Sequence, residues 1–100
     1  MYDMKHIGKL KRFAELAPEA WKGFVAFDKA ALADGVLSAK IKELIALGVA
    51  MTTQCPYCIE IHTQKAKKLG CTEHEIAEAV MVAAALRAGG AITHGTHCLE

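Results

Sequence analysis

The sequence predicts an all-α fold: a single-domain bundle of about six helices that assembles into an oligomer. Three observations carry that reading. Apolar residues recur with a period near 3.6 along most of the chain. Helix start and stop residues punctuate it. No stretch alternates with the period of two that a half-buried strand requires. One hundred residues is the length of one domain, taken here as residues 1–98, with Leu99-Glu100 set aside as a vector-type tail.

The elements follow in order. Ile7, Leu10, Phe13 with Ala14, and Ala17 share one face of a first helix, with Lys5, Lys9, Lys11 and Arg12 mostly elsewhere. Pro18 ends it and suits the first turn of a second helix, where Trp21, Phe24, Val25 and Leu32 keep the period. Gly35 marks the next break, and Ser38 is the N-cap expected for a third helix running to about Thr53. Between Ile41 and Met51 only Lys42 and Glu43 are charged, so this helix is expected to be central and buried on every side. Cys55-Pro56 opens a fourth helix, and Gly70 stops it. Thr72 and Glu75 have the spacing of a capping box for a fifth helix, which Gly89-Gly90 is expected to end. A short sixth segment then holds Ala91, Ile92, His94, His97 and Cys98.

Composition narrows the function. Hydrophobic residues make up 53% of the chain, whereas a domain this small buries only about two-thirds of its unfolded surface. Part of the apolar surface is therefore expected against another subunit. Twelve basic and 11 acidic residues nearly balance, and no basic block carries interleaved aromatics, so nucleic acid is not an expected partner. The longest apolar runs, 44–51 and 79–86, fall short of the roughly 18 residues of a membrane span, and the N-terminus has no signal-type region. No membrane partner is expected, and the expected compartment is cytoplasmic. Four cysteines in such a chain point to metal or redox chemistry before a disulfide scaffold.

The strongest chemical signal is Cys55-Pro56-Tyr57-Cys58. Two thiols at this spacing can close a disulfide, and the amides and dipole of a helix N-terminus favour a thiolate there. His62 follows Cys58 by one helical turn on the same face, where an imidazole can take a thiol proton. Glu43 is anomalous in another way. Its neighbours along the helix, Ala46, Leu47 and Ala50, are all apolar, so its carboxylate needs a buried partner. An imidazole and thiols from the next helix would serve, with Glu43 orienting His62. The competing reading is zinc: Cys55, Cys58 and His62 would supply three ligands, and His94, His97 or Cys98 a fourth. The second Cys-x-x-Cys half of a typical structural zinc site is absent, so no metal or other cofactor is assigned. Cys71 reads as a small buried apolar residue, and His6 and His74 as surface residues.

Cys-Pro-Tyr-Cys also occurs in glutaredoxins, but that fold needs a strand before the motif, and residues 38–51 read as helix. The wider pattern, Glu43, eleven residues, then Cys55-x-x-Cys58-x-x-x-His62, resembles the carboxymuconolactone decarboxylase superfamily in its alkylhydroperoxidase D-like branch. The likeness extends through Lys40-Ile-Lys-Glu-Leu-Ile-Ala-Leu, Leu69-Gly-Cys-Thr-Glu-His-Glu-Ile-Ala-Glu-Ala and Arg87-Ala-Gly-Gly-Ala, about residues 36 to 95. It implies an all-helical trimer or hexamer with a thiol peroxidase site free of haem and metal. It further implies Cys58 as the peroxidatic cysteine, Cys55 as proton donor and resolving thiol, and His62 with Glu43 as a proton relay. The substrate would be a hydroperoxide and the electron donor an external thiol or disulfide reductant. The family's lactone decarboxylases lack the cysteine pair, so decarboxylation is not expected. Tyr57 stands where the best-known peroxidase member has a second relay histidine, and a phenol is a weaker proton shuttle than an imidazole at neutral pH. His94, past the double glycine, is a further candidate for the pocket, contributed by a neighbouring subunit.

Overall fold

In a computed structural model, residues 2–100 are described. A 3-10 helix, Met4–Leu10, leads into five α-helices: α1 (Lys11–Leu16), α2 (Pro18–Leu32), α3 (Ala39–Thr53), α4 (Pro56–Lys68) and α5 (Glu73–Gly95). A 3-10 turn, Thr96–Cys98, follows. Among the described residues there is no strand. The centre of the fold is α3, which packs along both α4 and α5, while α1 and α2 pack on each other and touch the rest only lightly.

The local signals act where the sequence places them. Ser38 Oγ accepts the Ile41 N–H (3.2 Å), and Asp34 Oδ1 accepts the Ala39 N–H (2.8 Å), so two free donors at the start of α3 are satisfied. Pro56 occupies the first turn of α4, where its missing N–H costs nothing. At the other end Gly70, with φ +87°, donates to the Lys67 carbonyl (3.1 Å), and the Cys71 N–H reaches back to Ala66 (2.9 Å). Those two bonds, with Ala66 and Cys71 both in the core, make a complete Schellman motif. The Thr72–Glu75 capping box is also complete: Thr72 Oγ1 accepts the Glu75 N–H (3.1 Å), and Glu75 Oε1 accepts the Thr72 N–H (2.8 Å). Glu75 Oε2 also meets Lys40 Nζ at 3.1 Å, tying the starts of α3 and α5 together.

Three expectations are corrected. The first helix is divided: a 3-10 segment begins where Asp3 caps the Lys5 N–H, and only residues 11–16 are α-helical. Gly8 lies inside that segment, where its backbone entropy weakens an α-helix. Gly89-Gly90 does not end the fifth helix, which continues to Gly95. Glycine costs a helix about 1 kcal/mol per residue relative to alanine but imposes no break, and the alanine-rich flanks carry it through. The uninterrupted segment Glu73–Cys98 is therefore long and apolar enough to cross a bilayer by length and composition, which the separate apolar runs did not suggest. It packs on α3 through Ala83 in the core, so part of its apolar surface has a protein partner. Third, α3 is not buried all round. Glu43, Leu47 and Ala50 form its buried face, while Ile41, Ile45 and Val49 lie exposed on the other side.

The buried core is small: Leu47, Ala66 and Cys71, with Leu44, Met51 and Ile76 packed around them. Cys71 fills the apolar role read from the sequence, and its thiol also points at the Lys40 carbonyl (3.7 Å); burial pushes that thiol up. The chain measures 53 × 33 × 30 Å with a radius of gyration of 16.6 Å, against about 13 Å for a compact domain of this length.

Two predictions concern these joints. Gly70→Ala, at a positive φ with open space around it, should cost about 1 kcal/mol in urea unfolding, through backbone strain, and Thr72→Ala should cost about as much through the lost cap. The Thr72 N–H and Lys40 hold the Glu75 carboxyl below its ordinary value. Its stabilising contribution is therefore complete above the unfolded carboxylate pKa and is lost as the pH falls through the lower folded value. Glu75→Gln should destabilise at pH 7, and its effect should shrink as the pH falls below the ordinary carboxylate range; unfolding curves across a pH series check this.

Candidate functional site

The site forms at the corner between α3 and α4. Gln54 closes α3 in the left-handed conformation (φ 56°), with its N–H on the Ala50 carbonyl. This tight reversal puts Cys55 at the N-cap of α4, directly beyond the buried face of α3. Cys55 Sγ takes the usual role of a capping oxygen and accepts the Cys58 N–H at 3.2 Å. The two thiols also lie close enough to influence each other's ionisation.

These contacts set the proton distribution. The Cys58 thiol and backbone N–H lower the Cys55 pKa by stabilising a thiolate at the helix N-terminus. Cys58 is raised, because its thiol serves as donor to Cys55 and because it is more buried. Of the two, Cys55 is therefore the thiol that ionises more readily. Both thiols are free and half-buried.

One turn further along α4, His62 Nδ1 donates to Glu43 Oε2 at 2.6 Å, across the α3–α4 interface. Glu43 is 4% exposed. The bond engages Nδ1 and leaves Nε2 as the ring's basic nitrogen, the arrangement in which a carboxylate orients an imidazole for proton transfer. No buried side-chain nitrogen or oxygen among the described residues lacks a partner. No hydrogen bond joins His62 to Cys58, although the two share one stretch of α4.

The remaining candidates fall elsewhere. His94 lines a shallow surface concavity with Leu86, Arg87, Gly90 and Thr93, its ring edge-on to His97 with centroids 5.8 Å apart. Among the described residues, no set of three or more His, Cys, Asp and Glu side chains is placed to hold a metal ion, so the four-ligand zinc arrangement is not assembled within one chain. Tyr57 points to the N-terminal segment. Its hydroxyl oxygen accepts the Asp3 N–H (3.3 Å) and shares a hydrogen bond with His6 Nδ1 (3.1 Å), and the Tyr2 ring meets the Tyr57 ring edge to face at 4.9 Å. His6 was read from the sequence as a surface residue; 51 positions separate it from Tyr57, and no periodic or motif signal links the two.

Comparison with known proteins fits this geometry. The pattern that defines the carboxymuconolactone decarboxylase family matches residues 18–100. The chain belongs to that family. A family member from Legionella pneumophila, solved in its apo form, shares the fold with a TM-score of 0.76 and 39% identity, over 80% of this chain and 71% of that one. A structural-genomics protein from Methanobacterium thermoautotrophicum aligns with a TM-score of 0.82 and 34% identity, over 88% and 99%. In sequence the chain is 47% identical to uncharacterized protein 4 of the cox locus of Paracoccus denitrificans, over 76% of this chain and 68% of that one. It is 44% identical to an uncharacterized protein of Haemophilus influenzae, over 90% and 82%. The family's all-α fold is the fold seen here.

A lowered Cys55 pKa has a direct readout. Alkylation by iodoacetamide across a pH series should label Cys55 before Cys58, with its midpoint below the roughly 8.5 of a free thiol. Cys58→Ala should raise that midpoint, because the largest stabiliser of the thiolate is removed while the backbone donor stays.

Proposed function

We propose that the protein is a thiol-dependent hydroperoxide reductase that cycles Cys55 and Cys58 between dithiol and disulfide, with His62 and Glu43 moving protons. The observation that carries this reading is the Glu43–His62 pair (2.6 Å), with His62 on the helix whose N-cap sulfur, Cys55, accepts the Cys58 N–H. Resemblance to the peroxidase branch of the family assigns the attack to Cys58. Because Cys55 is the more readily ionised of the two, attack by Cys58 requires that its proton first pass to the neighbouring Cys55 thiolate.

The Cys58 thiolate then attacks the nearer peroxide oxygen. The O–O bond breaks, Cys58 becomes a sulfenic acid, and the departing alkoxide takes the proton now on Cys55, leaving as alcohol. The freed Cys55 thiolate attacks the Cys58 sulfur. Hydroxide leaves with a proton delivered through His62, held by Glu43, and the disulfide closes. One peroxide is reduced to alcohol and water, two thiols are oxidised, and an external thiol reductant restores them by exchange.

A second reading within the same site is a general thiol–disulfide oxidoreductase. Tyr57 favours it, since a phenol stands between the cysteines where a second imidazole would speed proton delivery to a peroxide. Among the described residues no ligand cluster supports a zinc-held assembly.

We place this chemistry in a homo-oligomer. Ile41, Ile45 and Val49 on α3 and Val82 and Leu86 on α5 are exposed, and several of them line an apolar groove of about 400 Å³ together with Leu44, Gly48 and Ala79. Phe13, Leu16, Phe24 and Phe27 are exposed on the N-terminal helices. Patches this apolar mark surfaces that another protein covers, and the elongated shape leaves room for a second copy.

Reduced protein treated with one equivalent of cumene hydroperoxide should lose two hydrogens by intact mass, mapped to a Cys55–Cys58 disulfide; both thiols remaining alkylatable would remove the peroxidase reading. Cys58→Ser should abolish the oxidation. His62→Ala should slow it by about 100-fold, the usual worth of a positioned proton-transfer group, and Glu43→Gln by about tenfold or more, as for a residue that orients an imidazole. Sedimentation velocity should show an oligomer, with Ile45→Glu combined with Leu86→Glu shifting it toward monomer.

A further inference from the structure

Among the described residues, the hydrogen bonds that join residues 2–32 to residues 39–100 are two, and both end on Tyr57 Oη. Asp3 contributes its N–H, His6 its Nδ1, and Tyr2 adds its ring at 4.9 Å. The N-terminal segment is therefore pinned to the one residue that separates Pro56 from Cys58 in the dithiol turn. We infer that residues 2–6 form a size-selecting clasp over the Cys55–Cys58 turn, admitting small electrophiles to the thiols and holding off bulky disulfides until it opens. The inference rests on the dithiol reading of the site, but it concerns which partners reach the sulfur rather than whether peroxide is reduced.

The geometry gives the clasp two properties. It is anchored on Tyr57, within two residues of each cysteine, so it lies beside the dithiol turn and not at a distant surface. It is also weakly held. Tyr2 remains 51% exposed, and one aromatic pair with two hydrogen bonds at an exposed position is a modest restraint. A segment held so loosely opens often, and an incoming molecule small enough to slip past it does not have to wait.

The test is thiol substitution on the full-length reduced protein, which requires no peroxide. Two reagents compete for the Cys55 thiolate: iodoacetamide, which is small, and dithiodipyridine, a neutral aryl disulfide. In the second reaction Cys55 attacks one sulfur, the S–S bond breaks, a mixed disulfide forms, and pyridinethiol departs. Peptide mass mapping separates Cys55 from Cys58, Cys71 and Cys98. Combining Tyr2→Ala with His6→Ala is expected to raise the dithiodipyridine rate at Cys55 by about tenfold, as loss of one aromatic contact and one hydrogen bond allows, while leaving the iodoacetamide rate unchanged. His6→Gln, which keeps a hydrogen-bonding side chain beside Tyr57, is expected to react like the wild type with both reagents. Equal rates for the Tyr2/His6 double variant and the wild type with dithiodipyridine would overturn the clasp. So would a parallel rise with both reagents, since that reports a changed thiolate and not a changed approach. Failure of cumene hydroperoxide to oxidise the wild type, by contrast, would remove the peroxidase reading and leave this result standing.

Discussion

The carboxylate of Glu43 sits among Ala46, Leu47 and Ala50 with almost no access to water, and it can stay there because His62 supplies a hydrogen bond from the next helix. Removing one partner from a fully buried charged pair costs about 3–5 kcal/mol. The cost here is smaller, because the His62 side chain keeps 19% of its surface exposed. Even so, it is comparable to what the small core of Leu47, Ala66 and Cys71 can spare. The pair therefore fixes how α4 lies against α3. Once α4 is fixed, the Gln54 reversal leaves its N-cap one place to be, and that place is Cys55. The dithiol turn inherits its position from a polar contact one turn further down the helix.

This dependence explains which parts of the fold could be read from the sequence. Ser38, Pro56, Gly70 and the Thr72–Glu75 box act through bonds to residues within five positions, so their chemistry is complete in a short window of sequence. Glu43 and His62 are 19 positions apart, yet the mismatch between a carboxylate and its apolar neighbours announced that a partner must exist. The failures have the opposite character. Gly89-Gly90 was weighed as a stop by residue type, but a glycine's entropy cost is a few tenths to 1 kcal/mol, too little to override a long run of good helix formers. The all-round burial expected of α3 assumed that every apolar face is covered within the chain. Ile45 and Val49 are apolar yet exposed within the chain, so the pattern alone does not say which faces the chain itself buries.

Helical periodicity put Cys58 with His62 on one face and so pointed to Cys58 as the thiol to be deprotonated. Capping chemistry points elsewhere. A sulfur at the N-cap receives a backbone N–H, the positive end of the helix dipole and the neighbouring thiol's proton together, and all three favour charge on Cys55. The two arguments address different quantities. Periodicity locates a proton acceptor, and capping locates the resting charge. On the proposed reading, reaction at Cys58 needs one proton moved to Cys55 before the chemistry begins, and Cys55 is then protonated and able to serve the leaving oxygen.

The N-terminal helices bring a final constraint to the same turn. They contribute no buried residue, and they are held to the rest by the Tyr57 contacts, by Lys42 Nζ on the Ala33 carbonyl at the end of α2 (2.6 Å), and by a light touch of α2 on α3. A unit attached in this way can shift against α4, and the Tyr57 anchor is where such a shift would reach the dithiol turn. Because the anchor lies between Pro56 and Cys58, assembly through Phe13, Phe24 and Phe27 would act on the approach to the thiols without touching them. The buried Glu43–His62 pair would not move, since α3 and α4 hold it from the other side. The Glu43–His62 bond and the Tyr57 contacts thus meet on one helix without sharing a residue, and a change in one need not disturb the other.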